Sequence, residues 1–141
     1  MLGSLAKWLR ILGYDTSFFS YARDDFLLGF AQRENRVLLT KDRALAKNSE
    51  ISYLVESLTL KEQLKEVVSH FSLKKLDKSR CSVCNGILKD VEKEKIKSLV
   101  PPYVFKTHEL FLRCTACGRI YWQGTHTERI EKFLNNVLKS L

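Results

Sequence analysis

The chain has 141 residues, and its 24 Lys and Arg against 16 Asp and Glu give a net charge of +8. This length suggests one domain or two small ones, and 45% hydrophobic residues with 28% charged residues exclude a disordered chain. No apolar run approaches the roughly 20 residues of a membrane-spanning helix, and the amino terminus lacks the layout of a signal peptide. We therefore expect a cytoplasmic protein with no membrane partner.

The positive charge favours a polyanionic partner, because each Lys or Arg set against a phosphate releases condensed counterions. Ribosomal, DNA-binding and nuclease domains share this trait. An excess of Lys and Arg is also common on other soluble domains. The charge alone therefore leaves nucleic-acid binding and a merely solvated surface as equal alternatives.

Residues 1–71 alternate between helical and strand patterns. Four leucines at helical spacing predict a first helix: Leu2, Leu5, Leu9 and Leu12. Gly13 follows at the place of a left-handed C-terminal cap. Strands are predicted at three runs: 16–19, 37–40 and 51–55. Further helices are expected after the caps Asp24 or Asp25 and after Thr59, so the order predicts an α/β fold with a mostly parallel sheet flanked by helices.

The polar segment 74–80 is the best candidate linker. It suggests an α/β domain at 1–78, a cysteine-containing region at 79–124 and a C-terminal helix at 125–141. The last segment has an amphipathic stripe: Ile130, Phe133, Leu134, Val137, Leu138 and Leu141. This stripe is expected to dock on the chain's own core or, alternatively, to bind a protein partner. The sequence does not indicate the oligomeric state.

The second region contains two CxxC pairs: Cys81 with Cys84, and Cys114 with Cys117. Paired thiolates in two turns are what a tetrahedral Zn²⁺ site needs, and a cytoplasmic setting disfavours disulfides. We predict a structural zinc ribbon, with redox-active CxxC pairs as the alternative. Four thiolates leave no coordination position for water, so the zinc would perform no chemistry. The four cysteines make two further possible ligands, His108 and His126, unnecessary.

Cations and aromatic residues surround the cysteines: Arg113, Arg119, Tyr121 and Trp122. Cations beside aromatic rings suit phosphate contact and base stacking, so Arg113, Arg119 and Trp122 are candidate nucleic-acid contacts. The equal alternative is that the aromatic side chains only pack the ribbon.

Acidic residues occupy two places where a metal-dependent nuclease could use them. Asp42 comes directly after the strand predicted at 37–40, at its carboxyl end, and Asp24 with Asp25 begins a helix. An Asp in either place is more often a helix N-cap than a metal ligand. Taken singly, these residues are weak indications of catalysis.

A series of motifs changes this balance. In order they are MLGSLAKWLRILGYDT, the Asp24-Asp25 pair, RVLLTKDRAL, CSVCNG, VPPYVF and FLRCTACGRIYWQGTH. The series, from Met1 to about Ile130, resembles the Mut-seven carboxy-terminal RNase domain family, in which a PIN-like nuclease domain precedes a zinc ribbon. The ribbon motifs are highly specific and the Thr-Lys-Asp stretch is less so.

The resemblance implies a PIN-like α/β fold and hydrolysis of RNA with Mg²⁺ or Mn²⁺ as catalytic cofactor. It matches Asp42 to the family's Thr-Arg-Asp motif, and Asp24 and Asp25 to its acidic pair, as catalytic residues. Lys41 and Arg43 would flank the site as phosphate-binding cations. The rival hypothesis is a non-catalytic RNA-binding zinc-ribbon protein with a degenerate or truncated nuclease site.

One departure from the family concerns the beginning of the chain. Family members usually open with a strand that ends in an Asp before the Met-Leu-Gly helix, and this sequence begins in the helix. We expect either a start codon assigned too late or a true lack of that strand. In the latter case the remaining acids, with Glu56 as a further candidate, would bind metal weakly.

Overall fold

The computed structural model of the chain describes residues 2–139, apart from the side chains of Thr125 and His126. The chain divides into two compact units. The first contains residues up to 6 and residues 17–73, and the second contains residues 7–16 and those from 74 onwards. The chain leaves the first unit for the last time at the beginning of the predicted linker. The predicted domain limits at 78 and 124 stay predictions.

The first helix, α1 (Gly3–Ile11), ends as its sequence predicts. Leu5, Leu9 and Leu12 are buried. Gly13 has a φ of 108°, and a Cβ built on it would lie 2.6 Å from the carbonyl oxygen of Lys78. A side chain would therefore clash with backbone there, which explains why glycine ends this helix.

The first unit is a small α/β layer. Strand β1 (Leu38–Thr40) pairs in parallel with β2 (Ser52–Leu54), and Thr40 lies opposite Leu54. Four helices accompany the pair: α1 in part, α2 (Asp24–Arg33), α3 (Arg43–Lys47) and α4 (Leu60–His70). The side chain of Thr59 accepts a hydrogen bond from the Glu62 amide, as the predicted cap of α4 requires. The α/β class with a parallel sheet is thus confirmed.

The strand predicted at 16–19 was wrong. The Thr16 amide donates to Oδ1 of Asn85 over 2.9 Å, and the Thr16 carbonyl accepts from Nε of Arg10 over 2.8 Å. Both backbone groups that a strand would offer to a ladder are bonded to side chains instead. Residues distant in the sequence therefore override the β-prone composition of this run.

The second unit contains an antiparallel sheet of order β3-β4-β5. Its strands are β3 (Leu88–Val91), β4 (Phe111–Cys114) and β5 (Ile120–Tyr121). Between β3 and β4 lie a 3₁₀ helix (Lys93–Leu99) and α5 (Pro102–Thr107). Four buried side chains form a core between these elements: Ile96, Val100, Val104 and Phe111.

The C-terminal helix α6 (Thr125–Lys139) also belongs to the second unit. Leu134 and Val137 of its apolar stripe are buried, and the ring of Phe133 lies 4.5 Å from that of Trp8. The stripe thus packs on the chain itself. Residues 140 and 141 of the predicted segment, including Leu141, lie outside the described part.

Within residues 2–139, no helix has the length and apolar character needed to cross a membrane.

Candidate functional site

The four cysteines come together in the second unit. Their Sγ atoms all lie within 4.8 Å of one another, with 3.7 Å between Cys81 and Cys117 and 3.4 Å between Cys84 and Cys114. Sulfurs bound tetrahedrally at about 2.3 Å from an ion are about 3.8 Å apart. The cluster therefore fits a metal ion and is compatible with a zinc ribbon.

Local backbone geometry forms the two cysteine turns. The Cys81 amide donates to the Gly86 carbonyl, and Asn85 adopts a φ of 71° in the first turn. A Cβ on Gly86 would lie 2.5 Å from Sγ of Cys114 and 3.2 Å from Sγ of Cys84. Only glycine leaves room for both sulfurs beside this backbone.

The neighbouring thiols of Cys114 and Cys84 differ in their pKa. Burial raises the pKa of Cys114, but the amides of Cys117 and Ala116 lower it by more, so the pKa falls to about 6. Burial and the hydrogen bond with Cys114 raise the pKa of Cys84 to about 12. A bound cation would remove the repulsion that opposes a second thiolate beside the first.

Tyr121 contacts a cysteine of the cluster directly. Its hydroxyl oxygen lies 2.9 Å from Sγ of Cys81. Burial and then the hydrogen bond with Cys81 together raise the pKa of Tyr121 to about 12. Burial also raises the pKa of Cys81. Hydrogen bonds from the Tyr121 hydroxyl and from the Cys84 and Val83 amides lower it by more, so the net direction of this pKa is downward. Where Cys81 is a thiolate, Tyr121 is therefore the donor of this hydrogen bond.

Side chains from residues 7–16 hold the first cysteine turn. Nη1 of Arg10, a buried residue, donates to the carbonyl oxygens of Ser82 and Val83 over 3.0 and 3.3 Å. Nδ2 of Asn85 donates to Asp15 over 2.6 Å. The turn is therefore held from outside the ribbon sequence. No sequence pattern indicated these residues or the Tyr121 contact.

The predicted RNA contacts of the ribbon differ in their surroundings. Arg113 and Arg119 are exposed. Trp122 is half-buried and packs against the core of the second unit, with its ring 6.4 Å from that of Phe111. The structure thus gives Trp122 a packing role, and its contact with RNA stays a prediction. The side chain of the alternative ligand His126 lies outside the described residues.

In the first unit, Asp42 follows β1. Its Oδ1 accepts from the Leu45 amide over 3.1 Å, so Asp42 is the N-cap of α3. The neighbouring Lys41 donates from Nζ to the Ser57 carbonyl over 2.6 Å. Lys41 thereby ties the end of β1 to the segment after β2.

Glu56 follows β2 at the level of Asp42. Glu66 of α4 holds this segment: its carboxylate accepts from the Ser57 amide, the Glu56 amide and the Tyr53 hydroxyl over 2.9, 3.2 and 2.8 Å. Nη1 of Arg43 lies 3.7 Å from Oε1 of Glu56. Carboxylate and guanidinium groups therefore meet where the two parallel strands end.

Asp24 and Asp25 are the first residues of α2, and the N-cap is Arg23. The expectation that one of them caps this helix was wrong, because both lie inside its first turn. There their negative charges interact favourably with the dipole of α2 and stabilise the helix. Asp25 also forms an ion pair with Arg23 at 3.5 Å. Among the described residues, the cysteines form the only group of three or more His, Cys, Asp or Glu side chains that could share an ion.

The fold and the cysteine cluster define an α/β protein with four cysteines placed where they could hold a metal ion. The family model named Mut7-C RNAse domain matches residues 1–134, so the chain belongs to this family and the resemblance is confirmed. The family suggests a ribonuclease-type function with an RNA substrate. Searches of curated proteins and of solved structures found no match.

Proposed function

We propose that the protein is a metal-dependent ribonuclease that hydrolyses RNA phosphodiesters, and that its ribbon contacts the RNA. One observation carries the proposal. The chain belongs to an RNase domain family, and Asp42 and Glu56 follow two neighbouring parallel strands. The two acids lie at the same level, because Thr40 of β1 is opposite Leu54 of β2. Groups placed at the carboxyl ends of parallel strands are where α/β proteins bind ligands.

Mg²⁺ or Mn²⁺ is the cation that fits this edge. Mg²⁺ is usually held by one or two carboxylates together with water and substrate phosphates, so it does not require a group of three acids. Asp42, with Asp24 or Asp25, would hold the ion, and Glu56 is the further candidate. When bound, such an ion lowers the pKa of a water ligand and neutralises charge on the phosphate.

The chain's own groups orient this edge. Oδ1 of Asp42 is bonded to the Leu45 amide, which fixes the carboxylate and leaves its other oxygen for a ligand. Lys41 is bonded to a carbonyl, so it positions the strand ends. Exposed ion pairs contribute only about 0–1 kcal/mol. An RNA phosphate can therefore replace Glu56 as the partner of Arg43.

We further propose that the ion in the cysteine cluster is Zn²⁺ and that its role is structural. Four sulfurs in a tetrahedral arrangement are the ligands of structural zinc sites, and they leave no position for water. Zinc would order the second cysteine turn, which Arg113 precedes and Arg119 follows, and would so fix the position of both cations for contact with RNA. A cytoplasmic location, which keeps thiols reduced, is part of the same proposal.

The second candidate is an RNA-binding protein without catalysis. It is favoured by the capping bond of Asp42, because a cap alone accounts for an acid at this position. Both candidates are tested with zinc-loaded protein and a labelled single-stranded RNA. Cleavage that requires added Mn²⁺ or Mg²⁺ supports the nuclease, whereas RNA binding with no cleavage under any of these conditions supports the second candidate and overturns the first.

A further inference from the structure

Two cations face each other across the ribbon sheet. Lys89 of β3 and Arg113 of β4 are directly opposite in the antiparallel register. Both are exposed, and among the described residues neither has a carboxylate within 4.0 Å. Like charges opposite one another on neighbouring strands destabilise a sheet. The pair therefore has an unfavourable energy that a bound anion would relieve.

An open cleft of about 480 Å³ lies beside this pair. Lys89 and Arg113 line it together with Thr115, Gly118 and Asp90. Gly118 has a φ of 80°, and a Cβ built there would lie 3.5 Å from Nη2 of Arg113. The guanidinium thus lies close to the backbone of the second cysteine turn. Gly118 has no side chain there that would cover it.

We propose that this cleft binds a phosphodiester of the RNA backbone between Lys89 and Arg113. A guanidinium presents a planar fork that matches two phosphate oxygens, and an ammonium adds a point charge. The proposal rests on the proposed function, since it names the ribbon's contact with that RNA. Asp90 follows Lys89 on β3, so its carboxylate points to the other face of the sheet and does not face the bound phosphate.

The test measures binding of a labelled single-stranded RNA to the full zinc-loaded chain by fluorescence anisotropy across a salt series, without added Mg²⁺ or Mn²⁺. Lys89→Gln and Arg113→Gln should each weaken binding, and the double variant should lower the salt slope by about 0.7, the value for one phosphate on a single strand. Asp90→Asn should change binding less than either cation variant does, because its carboxylate lies on the other face of the sheet. Lys95→Gln, on the exposed side of the 3₁₀ helix, is the matched control and should change neither the affinity nor the salt slope.

A second measurement separates binding from folding. Without RNA, thermal unfolding of Lys89→Gln should occur at or above the wild-type temperature, because the substitution removes a repulsion. The proposal is overturned if the double variant has the affinity and the salt slope of the wild type. It is also overturned if the substitutions weaken the binding of inorganic phosphate but leave the binding of the RNA unchanged. If the wild type binds RNA through this pair but never cleaves it, the nuclease proposal fails and the phosphate site stands.

Discussion

The guanidinium of Arg10 donates a hydrogen bond to the carbonyl oxygen of Ser82, 3.0 Å away. Ser82 lies between the two ligands of the first CxxC pair, and Arg10 belongs to the last turn of α1. The same side chain also bonds the Thr16 and Val83 carbonyls, so one charged group satisfies three backbone oxygens. The conformation of the first cysteine turn and the docking of residues 7–16 are therefore coupled in the second unit.

Arg10→Met should destabilise the second unit by about 2–3 kcal/mol, because it removes charge-assisted hydrogen bonds to three partly buried carbonyls. Urea unfolding of zinc-loaded protein measures this. Lys7→Met, an exposed change on the same helix, should have little effect. Equal unfolding free energies for the two variants would refute the coupling.

Gly86→Ala should weaken zinc binding by at least about 10-fold, because the added Cβ would lie 2.5 Å from Sγ of Cys114. Competition with a chromogenic chelator measures the affinity. Gly124→Ala is the matched control, since its nearest neighbour, Nε1 of Trp122, is 3.5 Å away. If both variants bind zinc as tightly as the wild type does, the inference that the first turn has no room for a Cβ at Gly86 is contradicted.

Metal analysis should find about one Zn²⁺ per chain, and Cys81→Ser or Cys117→Ser should lose it. Loss of the metal should also loosen the sheet β3-β4-β5, since β4 ends at a ligand, Cys114. Amide hydrogen exchange would detect this change. A protein that is free of metal yet protected throughout the ribbon would rule out a structural metal.

Glu66→Gln should destabilise the first unit in a pH-dependent way. Burial raises the pKa of Glu66, but hydrogen bonds from Ser57, Tyr53 and the Glu56 amide lower it by more, to about 2 from 4.5. A carboxylate with a lowered pKa stabilises the fold above pH 4.5, and this contribution disappears as the pH falls towards 2. With solvent screening we expect about 1–2 kcal/mol at pH 7.

Urea unfolding of wild type and Glu66→Gln at pH 7, 4.5 and 3 measures this difference. It should be largest at pH 7 and shrink below pH 4.5. Glu50→Gln, at an exposed position, is the control. A difference that does not change with pH would show that Glu66 acts through packing and not through its charge.

Local patterns predicted much of this fold. Helix α1 with its Gly13 cap, the Thr59 cap of α4 and the two parallel strands follow from spacing and residue type. The run at 16–19 did not, because its amide and carbonyl are bonded by Asn85 and Arg10. No pattern within the run could reveal partners so far along the chain.

The site was predictable to a similar extent. The CxxC spacing identified all four cysteines, whereas the contacts of Tyr121 and Arg10 depend on tertiary packing. For the acids, the position after a strand made Asp42 a candidate, and its role in catalysis stays a prediction. This position could not show that Glu66 holds the segment of Glu56, because that bond joins α4 to the end of β2.

Asp42→Asn tests the central proposal most directly. Asn is as good an N-cap as Asp, so the Leu45 bond and the unfolding free energy should be kept while the negative charge is lost. Cleavage of a labelled RNA in Mn²⁺ should fall by about 100-fold or more, while Asp77→Asn, an exposed change, retains activity. Full activity in Asp42→Asn, or no metal-dependent cleavage by the wild type, would contradict the proposal.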